Sequence, residues 1–246
     1  SEYRWLVQSD LMRNNLSNKF RISKEKINVY PIFEDLRSGN TTKQDSFIYP
    51  SSNSKHKNNI RLIKAFIQSA VKLTHLSFNL KITINKTAEI DKVILKAPKN
   101  LTVDFLGILS RDEVINLASK SKFLIFPSLT ESFGLPLIEG CQLGCYVISS
   151  NLPYVNQVIK PTLTFDPYSV DSISEMINQS VQDKNLIFTE MKVEWFPKGE
   201  QIMTFERKCG KLPEDTGAFT CNIESDELYK KKHCTMKCSE EGIYLP

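Results

Sequence analysis

The chain has 246 residues, 41% of them hydrophobic and 24% charged, with a formal net charge of +4. That length suits one large or two small domains, and the composition is that of an ordinary folded globular protein. No apolar run reaches membrane-spanning length, no Lys/Arg block is dense enough to grip nucleic acid or an anionic membrane, and "SEYRWLVQSD" is not a signal peptide.

From the N-terminus, "YRWLVQS" reads as a short strand, and Ser9 or Asp10 is placed to cap a helix running through Leu16. "KINVYPI" is a second strand ended by Pro31, residues 34–46 are polar and turn-rich, and "SFIYP" is a third strand closed by Pro50. After "SSNSKHKNN", the spacing of Ile60, Ile63, Ala65, Phe66, Ile67, Ala70 and Val71 predicts a helix with one buried face. "FNLKITIN" alternates as a strand does, "TAEIDKVILKAPKN" is helix or loop, and "LTVDFLG" is the next strand.

Ser110 with Glu113 makes a capping box for a helix carrying Val114, Leu117 and Ala118. "KFLIFP" is a strand, residues 136–143 a helix stopped by Gly144, "CYVISS" a strand, and "SVDSISEMINQSVQD" an amphipathic helix. Strands that alternate with helices and carry continuous apolar runs predict an α/β fold, a Rossmann-like open parallel sheet with helices on both faces. The pattern fades near Glu190, which places a boundary between residues 186 and 192. Cys141 and Cys145 read as buried thiols. Cys209, Cys221, Cys234 and Cys238 crowd the C-terminal tail at a density that suggests a disulfide framework.

The stretch "PSLTESFGLPLIEG" leads from a strand into a helix, and in an open parallel sheet ligands bind beyond the carboxyl ends of the strands. Pro136 suits the first helical position, Gly134 lets backbone approach a ligand, and the free N–H groups near Leu135 and Leu137 make an anion site. Glu131 in the loop and Glu139 in the first helical turn are then two acceptors fit for sugar hydroxyls. A phosphate between two sets of hydroxyls describes a nucleotide sugar. The plain alternative, acidic residues favoured by a helix dipole at roughly 0.3–1 kcal/mol each, does not account for the Phe, Gly and Pro between them.

"ESFGLPLIE" resembles the Glu-x7-Glu motif of retaining glycosyltransferases of the GT-B fold, group 1 type. Its surroundings from "VDFLG" to "PYVNQVI" resemble the donor-binding C-terminal half of that family, and "FIYPSSNSKHKNNIRLIKAF" resembles the branch with His-Lys-Asn after a Tyr-Pro strand end. The resemblance runs over roughly residues 3 to 188. It implies that Glu131 holds hydroxyls of the donor sugar and that Ser132, Phe133, Gly134 and Leu135 meet sugar and diphosphate. Glu139 is implied to bind the ribose, and Lys57 to neutralise the departing diphosphate with His56 and Asn58 beside it. Glu131 and Lys57 are the implied catalytic pair.

No metal and no other cofactor is expected, and the chain has no Asp-x-Asp pair to hold a divalent ion. The donor is implied to be GDP- or UDP-linked, and the acceptor a glycan or lipid-linked glycan. The implied location is cytoplasmic, with membrane association open. In this reading residues 1–23 lead out of an N-terminal half that the chain lacks, 24–190 bind the nucleotide sugar, and 191–246 form a Cys-rich tail. Without its other half, such a domain is alternatively a non-catalytic nucleotide-sugar-binding remnant. Two departures from the family pattern stand out: Gly144-Cys145-Tyr146-Val147 where a Pro-Val is usual, and Gln157 where a glutamate is common.

The tail from Cys209 to "EGIYL" resembles the first part of a sushi module, which implies a Cys221–Cys234 disulfide and an extracellular recognition protein. A zinc site from His233, Cys234 and Cys238 with another cysteine, or an extension with free thiols, are the other readings of the same residues.

Overall fold

The structure, a computed structural model, describes residues 4–30, 33, 34, 36 and 41–193, together with the backbone of 219–226 and 231–238. The chain divides into two compact units, Ser1–Trp195 and Phe196–Pro246.

The first unit opens with β1 (Trp5–Val7), α1 (Asp10–Phe20) and β2 (Ile27–Val29), in which β1 and β2 pair in parallel. Ser9 is the residue that caps α1, accepting from the Met12 N–H at 3.2 Å, and the helix runs one turn beyond Leu16. Residues 1–23 fall inside this compact unit. Gln157 helps seat them there, since its Oε1 accepts from the Leu11 N–H at 2.9 Å in the first turn of α1.

Then come β3 (Gln44–Tyr49), α2 (Asn59–Lys72), β4 (Phe78–Ile82), α3 (Ala88–Ile94), β5 (Leu101–Phe105) and α4 (Arg111–Lys120). They are followed by β6 (Ser121–Phe126), α5 (Leu135–Gln142), β7 (Tyr146–Ser150), α6 (Pro153–Val158), β8 (Ile159–Lys160), β9 (Leu163–Phe165) and α7 (Val170–Gln182). The six-stranded sheet has the order β5-β4-β3-β6-β7-β9, and every pairing in it is parallel. β10 (Glu190–Met191) returns antiparallel to β8.

The strand order reverses between β3 and β6, which makes that boundary the switch point of a doubly wound sheet. Helices α2, α3 and α7 pack as one group, and α4, α5 and α6 as another. β6 and β7 are buried along almost their whole length, as their unbroken apolar runs require, whereas β4 alternates buried and half-buried residues. Phe47 anchors the centre: its ring stacks on Phe123 with centroids 4.7 Å apart and meets Phe66 edge-on at 5.0 Å.

The ambiguous segment after β4 is a helix because Thr87 caps it, accepting from the Ile90 N–H at 3.3 Å. The Ser110–Glu113 capping box forms in both directions, and its hydrogen bonds hold the Glu113 carboxyl below its usual range. Pro136 occupies the second position of α5, not the first, because Gly134 in the left-handed region (φ 82°) is the N-cap. Gly144, also left-handed at φ 72°, follows the end of α5. The sequence reading passed over α6 and β9, which are too short for periodicity to register. Cys145 is buried as expected, while Cys141 is half-buried. Burial pushes the Cys141 thiol up to about 11.

In the second unit, β11 (Phe219–Asp226) and β12 (Lys231–Cys238) form an antiparallel hairpin in which Cys221 faces Met236 and Ile223 faces Cys234. The side chains of Cys221 and Cys234, and those of the alternative zinc set, lie outside the described residues.

Candidate functional site

All six strands of the main sheet point the same way, so the loops that follow β3, β5 and β6 emerge at one end. The loop after β3 carries Ser51 to Asn58, and the loop after β6 carries Pro127 to Gly134. Sequence alone leaves these segments about seventy residues apart. The reversal of strand order brings them side by side.

There, Lys57 Nζ meets Glu131 Oε1 at 2.6 Å. Only 17% and 14% of the two side chains remain exposed, and the ammonium also lies 5.6 Å from the centre of the Phe126 ring. Two further contacts lock the loops together, and a third braces the first loop on β3. The Leu129 N–H donates to the His56 carbonyl at 2.8 Å, Asn58 Nδ2 donates to the Pro127 carbonyl at 3.1 Å, and the Tyr49 hydroxyl donates to the Lys57 carbonyl at 2.8 Å. Tyr49 has one proton to give, so at their 3.0 Å separation Ser128 Oγ is the donor to Tyr49. The Ser128 carbonyl in turn accepts from Tyr154 and Ser150, at 2.8 and 2.9 Å.

Burial raises the Tyr49 and Tyr154 hydroxyls well above their usual range, which keeps both protonated as donors. Tyr49→Phe removes the hydroxyl and leaves the part-buried Lys57 carbonyl and the buried Ser128 hydroxyl without this partner. The expected cost is about 1–3 kcal/mol in urea unfolding, with an unchanged m-value.

The second carboxylate has its own cation. Glu139 is the fifth residue of α5, in its second turn rather than its first, and its side chain is 9% exposed. Arg111 Nη1 lies 2.5 Å from Glu139 Oε1, and Nη2 lies 3.2 Å from Glu34 Oε2. Burial disfavours the Arg111 charge, but the Glu139 and Glu34 carboxylates more than offset it, so the guanidinium is raised and stays charged.

The remaining candidates divide by what they already touch. Asn58, buried and in the left-handed conformation (φ 61°), spends both Nδ2 hydrogens on the carbonyls of Pro127 and Pro167 and accepts from Arg61 at Oδ1. It has no donor left for a ligand. His56 is half-buried, Ser132 exposed, Phe133 and Gly134 buried, and Leu135 half-buried at the helix start. Pro136 has no N–H, and the first-turn amides of a helix have no intrahelical acceptor. At φ 82° any side chain at Gly134 would be strained, and its Cβ would lie 3.0 Å from Leu137 Cδ1, so glycine suits this approach to the helix. Among the described residues no cluster of three His, Cys, Asp or Glu side chains is placed to hold a metal ion. None of their helices is long and apolar enough to cross a membrane.

The family model for glycosyl transferases group 1 matches residues 33–195. The chain belongs to this family. Among its curated relatives, O-antigen chain mannosyltransferase B of Escherichia coli is 34% identical over 82 residues, 33% of this chain and 22% of that protein. O-antigen chain mannosyltransferase RfbU of Salmonella typhimurium is 27% identical over 161 residues, 63% of this chain and 44% of that protein. This group 1 chain thus spans less than half the length of those relatives. The pneumococcal O-GlcNAc transferase GtfA, solved in complex with UDP and GlcNAc, superposes with a TM-score of 0.57 at 22% identity, over 75% of this chain and 39% of that one. The fold is one half of the GT-B arrangement.

In this group 1 glycosyl transferase, the structure sets Glu131 in the loop after β6 and Glu139 in α5, each against a cation. The sequence reading missed the partners. Arg111 was not singled out, though an arginine that opens a helix just past a strand's carboxyl end is a signal. Nothing in the sequence marked Tyr49 and Ser128 as the clamp between the loops.

Proposed function

We propose that residues 24–190 are the donor-binding half of a retaining glycosyltransferase that takes a nucleoside-diphosphate sugar. The observation that carries this reading is the meeting of Lys57 and Glu131 at the switch point, next to the open N-terminus of α5. In this reading Glu131 holds sugar hydroxyls, while the loop from Ser132 to Leu135 gives its amides to sugar and diphosphate. Glu139 takes the ribose. Lys57 neutralises the diphosphate as the glycosidic bond breaks and charge grows on the leaving group, where a fixed cation and helix dipole lower the barrier. His56 borders the diphosphate, and Asn58 holds the two loops together instead of touching donor.

Charge neutralisation falls to protein groups, without a metal ion. The mannosyltransferase names of the relatives favour a hexosyl donor, and the UDP in the structural neighbour favours a nucleoside diphosphate of either base. The acceptor is proposed to be a glycan or lipid-linked glycan, and the free thiols of Cys141 and Cys145 agree with a cytoplasmic setting.

Calorimetric titration of the chain with GDP, UDP and their hexose conjugates tests this. The expected result is binding at millimolar or lower concentration, stronger for the sugar conjugate than for the bare nucleotide and unchanged by a chelator. Absence of binding at millimolar nucleotide would overturn the donor-site reading.

A further inference from the structure

We propose that Arg111 is a positioning and specificity residue of the donor site: it holds Glu139 in the orientation that reads ribose hydroxyls and offsets its charge beside a diphosphate. The inference rests on the donor-site reading above, in which Glu139 takes the ribose.

Three observations support it. Glu139 is nearly buried, and Arg111 Nη1 engages only Oε1, leaving the other carboxylate oxygen as an acceptor for a ligand. Arg111 reaches it from a rigid base, the first position of α4 directly after a capping box closed in both directions. Its second nitrogen is held by Glu34 at 3.2 Å, so the guanidinium is gripped at both ends of its fork. A planar fork fixed in this way sets the plane of the carboxylate it pairs with, which a mobile ammonium does not.

The electrostatics point the same way. A bare carboxylate next to a diphosphate would repel it, and burying one without a cation is costly. With Arg111 in place, the Glu34–Arg111–Glu139 cluster carries one net negative charge instead of two. Glu34 is the more exposed, Glu139 is the nearer partner, and Glu139 still offers an acceptor. Lys57 likewise offsets Glu131, except that Lys57 stands in the loop proposed to meet the diphosphate. Arg111 lies after β5, two strands beyond β3 in the sheet order, on the side away from β6. The two cations therefore have separate tasks.

The test titrates the full chain with UDP and GDP, and with the analogues of each that lack both ribose hydroxyls. It compares wild type, Arg111→Gln, Arg111→Lys, Glu34→Gln and Glu139→Ala, with thermal melting to confirm folding. In wild type, loss of the ribose hydroxyls is expected to weaken binding by about tenfold, the worth of hydrogen bonds to a charged group. In Arg111→Gln the nucleotides with intact ribose should weaken by about tenfold, and the preference for ribose over its deoxygenated analogue should largely vanish. Arg111→Lys should restore part of that preference, and Glu34→Gln should lower it less than Arg111→Gln does.

A purely structural role would lower the melting temperature of Arg111→Gln without changing ribose preference, and that result overturns the inference. If Glu139→Ala loses the preference while Arg111→Gln keeps it, the inference fails and the donor reading stands. If wild type binds none of the nucleotides, the donor reading falls and takes the inference with it.

Discussion

Lys57→Ala is expected to weaken nucleoside-diphosphate binding by at least about tenfold, since it removes a charge-assisted contact to phosphate. The same change leaves the Glu131 carboxylate, 14% exposed, without its cation. Breaking a fully buried pair from one side costs about 3–5 kcal/mol, but both side chains here keep roughly a sixth of their surface in water, so about 1–3 kcal/mol is expected. Glu131→Gln in the same chain should recover part of that cost, because a neutral amide needs no counter-charge. Urea unfolding of both single variants and the double variant measures the coupling directly. Destabilisation of the double variant equal to the sum of the two single effects would show that the 2.6 Å contact carries no energy. The titration separates the two effects, because Glu131→Gln alone should keep the grip on bare UDP or GDP and lose the preference for the sugar conjugate.

Phe47→Ala should be the most destabilising single substitution in the sheet. The ring is 2% exposed, lies on the middle strand between β4 and β6, and packs against Phe66 and Phe123. Truncation leaves a cavity that neighbouring aromatic rings fill poorly, at about 3–5 kcal/mol. For a unit of this size that corresponds to a fall in melting temperature of roughly 6–20 °C. The effect should also reach the site. Side chains two apart on a strand share a face, so Phe47 supports Tyr49, whose hydroxyl holds the Lys57 carbonyl. Phe47→Leu keeps most of the volume and should cost under about 2 kcal/mol. If Phe47→Ala melts within a few degrees of wild type, the packing around β3 is looser than its burial indicates.

The alternation of apolar strands and amphipathic helices was legible in the chain because burial on both faces demands unbroken apolar runs, as in "FLIF" and "YVIS". The caps at Ser9 and Ser110 were legible because each acts within three residues of itself, while the equally local caps at Thr87 and Ser169 were passed over. The motif residues Glu131, Glu139 and Lys57 were likewise visible, each beside its own proline, glycine or helix start. The short α6 and β9 were not, because six and three residues carry too little period to register without a distinct apolar run.

By itself, then, the sequence determined the class of fold and the order of its longer elements, and it marked the candidate site residues. Those follow from local periodicity, caps and spacing. Only the tertiary structure decided what each charge faces. The reversal of strand order at β3 and β6 joins Lys57 to Glu131 across 74 residues of chain, and the parallel run of the strands delivers Arg111 to Glu139 across 28. Ion pairing depends on distance in space, and no spacing along the chain encodes a distance that strand order alone creates.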